Sequence, residues 1–277
     1  MVNAKKSYSP LVALIITVLF IVSAVIVTPY IWMLFASFKT TNEIRQNPGA
    51  IVPIKWTLSG YITVITQSPF FYWLRNSAII TVSVTLIVLF TSTITGYVFA
   101  KYRFKGKNAM FWLILASMMV PSQITMIPNF LIINAIGLYN TLYALIVPSM
   151  VSAFGIFLCR QFCEDIPNSL CDAAIIDGAG DFRIFYQIII PQLRPCIGAL
   201  AIFTFLGVWN DYMGPLIMLA EVRNMTLPLA LSFFSTQRSN DIGAVMAASS
   251  LIMIPVTIVF LCFQSQFIKG ITMTGIK

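Results

Sequence analysis

Apolar residues fall into six long stretches along the chain, at about 11–35, 77–100, 110–133, 141–162, 196–219 and 242–267, with the polar residues gathered between them. Each has the roughly 20 residues a helix needs to cross a hydrocarbon layer about 30 Å thick. The first follows Lys5 and Lys6. It is longer than the roughly 7–15 apolar residues of a secretory signal and no small-residue cleavage site follows it, so it reads as a retained span. The polar stretch 39–75, broken by Pro48, Pro53 and Pro69, reads as a loop with short interfacial helices. Pro121 and Pro128 fall inside the third stretch. Proline breaks the hydrogen-bond ladder, and within a membrane such breaks survive only against protein or a water-filled cavity. A packing kink and a pathway role both fit.

Between the fourth and fifth stretches, residues 164–195 predict two short helices around a glycine break. Ser169 and Asp172 stand at capping-box spacing. Gly178 and Gly180 can take the positive φ that ends the first helix, and Asp181 can cap the second. Phe182, Phe185, Tyr186 and Ile189 recur at i, i+3, i+4, i+7 as one apolar face, and Pro191 is placed to stop the helix.

Composition turns these stretches into a class. Hydrophobic residues are 58% of 277 positions and charged residues 9%, where soluble domains carry about 25% charged. The chain is therefore an all-α polytopic membrane protein, organised as a single transmembrane domain over 1–277. The net charge of +8 fits the bias of basic residues towards the cytoplasm and contact with anionic lipid; no basic, aromatic-bearing soluble module suggests a nucleic acid. Placing Lys5, Lys6, Lys101, Arg103, Lys105, Lys107, Arg160, Arg183, Arg194, Lys269 and Lys277 inside puts eleven of the 17 basic residues there, with both termini and the 164–195 hairpin cytoplasmic. With five cysteines, no histidine and no Cys-x-x-Cys, a zinc site is not expected. Without histidine or paired intramembrane carboxylates, an intramembrane enzyme is not expected either. No phosphate-binding GxxxxGK[ST] motif occurs, so ATP is not expected to be held that way.

The run DAAIIDGAG followed by IIIP (Asp172 to Gly180, Ile188 to Pro191) resembles the EAA loop of permease subunits of bacterial ATP-binding-cassette importers, with Asp172 where that family usually has Glu. SFKTTNEI, WLRNS, the two prolines of the third stretch, Trp209-Asn210-Asp211, Pro255 and the tail FQSQFIKGITMTGIK are similar to the carbohydrate branch, and most to the smaller partner of the maltose-type pair. The resemblance implies six spans in the bacterial inner membrane and a heterodimer with a second permease subunit. It also implies two cytoplasmic ATPase subunits that bind the ATP and magnesium, and an extracytoplasmic sugar-binding protein. This chain would hold no cofactor. The resemblance assigns Asp172, Ala173, Ala174, Asp177, Gly178, Gly180, Phe182, Phe185 and Pro191 to ATPase coupling, and suggests that the tail from Gln264 contacts the same partners. Trp209, Asn210, Asp211 and Tyr212 read either as a solute-facing polar and aromatic patch or as an interfacial anchor. The solute would be a sugar, with glycerol phosphate or a polyol as the alternative. A secondary transporter driven by an ion gradient is the remaining alternative, disfavoured by the lack of an internal repeat.

Overall fold

In the computed structural model, which describes residues 10–273, the described residues are helical and carry no strand. The helices are α1 (Pro10–Ala36), α2 (Thr41–Gln46), α3 (Ser59–Gln67), α4 (Phe70–Lys101), α5 (Lys107–Ser117), α6 (Ser122–Ala135), α7 (Tyr143–Ile146) and α8 (Ala153–Glu164). There follow α9 (Asn168–Ile176), α10 (Asp181–Ile184), α11 (Ile190–Gln192), α12 (Arg194–Trp209), α13 (Met213–Met218), α14 (Leu227–Gln237) and α15 (Ile242–Met273). Four segments are long and apolar enough to cross a membrane singly: α1, α4, residues Tyr143–Glu164, and α15 up to Cys262. Two bent pairs bring the number to six if each is one span: α5 with α6, at 98°, and Asp181–Gln192 with α12, at 76°. The first bend falls at Pro121, which begins α6; Pro128 sits within α6. The sequence reading placed the fifth span over 196–219 without interruption, but the helix ends at Trp209 and resumes only at Met213. The Asp211 side chain accepts from the Gly214 N–H at 3.2 Å, so its carboxylate starts a new helix rather than riding within an old one.

The chain forms two compact units. In the first, made of residues 1–68 and 233–251, the SFKTTNEI run folds the extramembrane loop. Thr40 caps α2 by accepting the Glu43 N–H, and the Glu43 carboxylate accepts the Ile54 N–H at 2.7 Å. Buried Lys39 donates to the Ala50 carbonyl, and Thr41 Oγ1 donates to Asp241 Oδ1 at 2.8 Å.

The second unit, residues 69–232 and 252–277, is built on α4. Ile80, Val84, Val88 and Tyr97 from α4 meet Cys159 and Cys163 of α8 and Cys196 and Leu200 of α12 in one buried cluster. Two small-residue pairs let α4 and α8 touch. A Cβ on Gly96 would stand 2.6 Å from Cys159 Cβ and 2.7 Å from the Arg160 nitrogen, and a Cβ on Gly155 would overlap Ser92 Oγ. Ser92 faces Gly155 and Gly96 faces Cys159, so the two helices run in the same direction with backbones in contact, as small-xxx-small pairs allow within a membrane. Cys159 and Cys196 stand with their sulfurs 3.8 Å apart where α8 meets α12.

Candidate functional site

Two places in the second unit gather the residues singled out by the sequence. The first is the 165–193 hairpin. Its root is fixed to the end of α4: Lys101 Nζ donates to the Ile166 carbonyl and to Asn168 Oδ1, the latter at 2.9 Å. The helix α9 begins after Pro167, whose φ of −59° is already set, with no side-chain cap. The expected capping box of Ser169 and Asp172 is therefore not formed, and both side chains are exposed. At the other end the turn is a Schellman motif. Gly178 takes φ +78°, its N–H donates to Ile175 O at 3.0 Å, and the Ala179 N–H reaches back to Ala174 O at 2.9 Å. Gly180 is extended at φ −77°, so only one of the two glycines uses the conformation expected of both, and it is Gly180, not Asp181, that stands at the cap of α10.

The expected apolar face of the ascending arm also divides. Ile184, Ile189 and Leu193 are buried, and Phe185 lies against the Tyr97 ring with centroids 5.4 Å apart. Phe182 (80% exposed) and Tyr186 point outwards instead. Half of the expected face is thus inward, joined by Ile184 and Leu193, and residues Phe185–Ile189 form a π turn, in which the Ile190 N–H reaches the Phe185 carbonyl. Pro191, expected to stop the helix, is carried through to Gln192, and the bend comes between Gln192 and Arg194. Asp181 lies beside the Tyr102 hydroxyl. Burial first, and then that carboxylate, push the Tyr102 pKa above its ordinary value, while the Tyr97 hydroxyl opposes them.

What the hairpin offers outwards is mixed. Ile176 (86% exposed), Ile175, Leu170, Phe182 and Tyr186 are bare apolar groups, interleaved with the exposed carboxylates of Asp172 and Asp177. Ala173 faces out with them, whereas Ala174 packs inwards on the core with Cys171 and Ala179. An apolar patch edged with carboxylates, on a rigid root, is suited to a partner groove with basic edges.

The second place is a cavity of about 350 Å³ between α6, the α7 turn and the α12–α13 break. Its polar lining is Ser122, Thr125, Asn129, Ser149, Asp211 and Thr226. Only Asp211 of the Trp209–Tyr212 run reaches it. Trp209 is buried and stacked on Phe205 at 5.6 Å, Asn210 bonds back to the Leu206 carbonyl, and the Tyr212 hydroxyl lies 3.4 Å from Ser232 Oγ. The α5–α6 pair puts one wall on the cavity through Ser122, Thr125, Met126 and Asn129 of α6.

Sequence reasoning gave no role to the side chains that shape the wall carrying Thr226. Trp73 Nε1 donates to Val222 O at 2.7 Å, Asn76 Nδ2 to Arg223 O at 2.8 Å and Met225 O at 3.2 Å, and Ser77 Oγ accepts the Leu227 N–H at 2.7 Å. These residues stand at i, i+3, i+4 on α4, inside the WLRNS run; the helical spacing of three polar or amphipathic groups was the available signal. Replacing Asn76 by Leu strands two carbonyls and should cost about 2 kcal/mol, read as a lowered melting temperature in detergent. Asn140 was missed as well. At φ +59° it accepts the Ala220 and Glu221 N–H groups through Oδ1.

The family described as the binding-protein-dependent transport system inner membrane component matches residues 92–273. The arabinooligosaccharides transport system permease protein AraQ of Halalkalibacterium halodurans is 33% identical over 277 residues, 99% of each chain. The diacetylchitobiose uptake system permease protein NgcG of Streptomyces coelicolor is 31% identical over 254 residues, covering 90% of this chain and 84% of its own. Among solved structures, a chain of a bacterial ABC transporter involved in the import of the acidic polysaccharide alginate superposes with a TM-score of 0.82 at 24% identity, covering 94% of this chain and 99% of that one.

Proposed function

The chain belongs to the binding-protein-dependent transport system inner membrane components, and we propose that it forms one half of a sugar-import channel, coupled through the 165–193 hairpin to separate ATPase subunits. It is a permease, not an enzyme. Relatives named for arabinooligosaccharides, diacetylchitobiose and lactose support a sugar as the solute, ahead of glycerol phosphate or a free polyol. The other half of the channel is a second permease subunit. ATP and magnesium are bound by two cytoplasmic ATPases, and an extracytoplasmic binding protein delivers the sugar. Both termini and the hairpin lie on the cytoplasmic face of the bacterial inner membrane, as the distribution of basic residues favours.

The observation that carries the coupling role is the exposure of Ile176 and Phe182 on a hairpin whose root is tied to α4 by Lys101. Apolar side chains on a cytoplasmic turn are costly unless a partner covers them. Asp172, Ala173, Asp177 and Gly180 share that outer surface, and Gly178 holds its turn. Ala174, Phe185 and Pro191 set how the hairpin stands on the core. ATP-driven closure of the partners would then move the hairpin as a lever on α8 and α12. On the solute side, Asp211 faces the cavity, while Trp209, Asn210 and Tyr212 support the break that places it. The tail from Gln264 is assigned to contact with the ATPases; its side chains from 265 onwards, and all of 274–277, lie outside the described residues.

The test is to place a charge on the patch. Ile176→Asp and Phe182→Asp should each leave the melting temperature of the purified chain within a degree or two, because neither side chain is packed, and lower co-purification of the ATPase and vesicle uptake by roughly tenfold. Uptake at the wild-type rate in both variants would refute the coupling role.

A further inference from the structure

One buried hydroxyl in the cavity has no partner among the described residues. Thr226 is 5% exposed, its Oγ1 makes no hydrogen bond, and the residue lines the cavity beside Asp211. Buried hydroxyls are nearly always paired, so an orphan facing a cavity calls for an occupant. The backbone that carries Thr226 is held in place. Its neighbours on both sides are fixed by α4, Met225 through its carbonyl to Asn76 and Leu227 through its N–H to Ser77, and its own carbonyl accepts the Ala230 N–H at 2.8 Å.

The rest of the lining narrows the chemistry. Asn129, Ser122, Thr125 and Ser149 add groups that donate and accept, while Asp211 is the one ionisable residue on the wall and no Lys or Arg lines it. One carboxylate oxygen of Asp211 accepts the Gly214 N–H, which uses the group as a helix cap without neutralising it. An anion entering this space would meet a carboxylate with no cation to offset it. An uncharged polyol would bring hydroxyl donors to Asp211 and Thr226, and its C–H faces would lie on Ile80, Leu145 and Met218.

Building on the transport role above, we propose that this cavity is a solute subsite for a single uncharged, polyhydroxylated ring. In it Thr226 supplies a hydroxyl partner, and Asp211 turns away carboxylated or phosphorylated solutes. The distinction matters within this fold, since a chain of similar structure belongs to a transporter involved in the import of an acidic polysaccharide.

The charge filter can be tested without knowing the sugar. The assembled transporter, in nanodiscs and carrying Cys171→Ser and Cys262→Ser, receives Thr125→Cys as a reporter on the cavity wall. It is then treated with cationic trimethylammonium or anionic sulfonate methanethiosulfonate. Relative to a free thiol, the cationic reagent should be favoured about tenfold, and Asp211→Asn, which keeps the cap to Gly214, should remove that preference. A preference that survives Asp211→Asn overturns the filter, as does an unreactive reporter thiol.

The hydroxyl is tested by uptake of labelled lactose, arabinotriose or diacetylchitobiose, whichever the wild-type transporter accumulates. Thr226→Val should raise KM about tenfold at unchanged kcat, and Thr226→Ser should restore it. Unchanged KM in Thr226→Val, with a melting temperature equal to or above wild type, would mean that the hydroxyl held only a trapped water, and would overturn the subsite. If none of the three sugars is taken up while the reagent preference still depends on Asp211, the filter is supported and the sugar-transport role is the part that fails.

Discussion

Gly96→Val is expected to prevent the second unit from reaching its native packing. The first added carbon would already lie 2.6 Å from Cys159 Cβ, 2.7 Å from the Arg160 nitrogen and 2.9 Å from the Cys159 carbonyl carbon. Two of those three neighbours are backbone atoms inside α8, so no rotamer change relieves the clash. Either α8 moves away from α4 or the helix distorts. Overpacking of a tight core costs about 1–3 kcal/mol and occasionally more, and two methyl groups forced against a helix backbone put Gly96→Val above about 3 kcal/mol. In a fluorescent-fusion assay the variant should elute aggregated, or melt far below wild type. Gly207→Val is the matched control for packing: a Cβ there meets nothing within 4 Å, and the variant should elute and melt as wild type, although Gly207 lines the cavity. Equal behaviour of the two variants would mean that α4 and α8 do not touch as described.

Gly178→Pro should abolish ATP-coupled uptake to the level of vesicles without ATP. The position has φ +78°, and its N–H donates to the Ile175 carbonyl. Proline is confined to φ near −65° and has no N–H to give, so both the turn and the Schellman bond are lost. The space around the α-carbon is empty, which separates geometry from crowding. Gly178→Ala should therefore show only the left-handed penalty, about 1 kcal/mol, and keep most of its uptake. Because the root of the hairpin is held by Lys101 at Ile166 and Asn168, at the opposite end of α9 from the turn, the purified proline variant should still melt cooperatively while failing to stimulate its ATPase. Full uptake in Gly178→Pro would remove the hairpin from the coupling path.

These two glycines mark what the sequence could and could not show. Gly178 was readable because a helix-ending glycine has a local signature, set by its own dihedral angle. Gly96 and Gly155 were not, because their need for smallness comes from a helix some 60 residues away. The apolar lengths marked segments of which four can cross a membrane singly and two only as bent pairs, but not the break at Asn210–Tyr212, where apolar residues resume at once and the Asp211 cap divides two helices. Of the face that Phe182, Phe185, Tyr186 and Ile189 trace on the 181–193 arm, Phe185 and Ile189 turn inward and the other two do not; the regular 3.6-residue pattern does not foresee the π turn over Phe185–Ile189. Ser169 and Asp181 were credited with caps that Pro167 and Gly180 occupy. Thr226 left no trace in the sequence at all; its significance lies in a partner it lacks.

Trp73, Asn76 and Ser77 grip residues 222–227 entirely by main-chain atoms: three carbonyls and one amide. The path of that segment is thus set from α4, while within it Asn224 donates to the Asn140 carbonyl and Thr226 lines the cavity. Substitutions at the exposed Val222 and Arg223 should leave that path unchanged so long as the Trp-x-x-Asn-Ser grip persists. A graft of 222–227 from one relative into another should succeed when the recipient's α4 carries those three residues and fail when it does not. The transferable unit is a helix face together with a stretch of chain about 150 positions distant, and alignment of the loop alone would miss half of it.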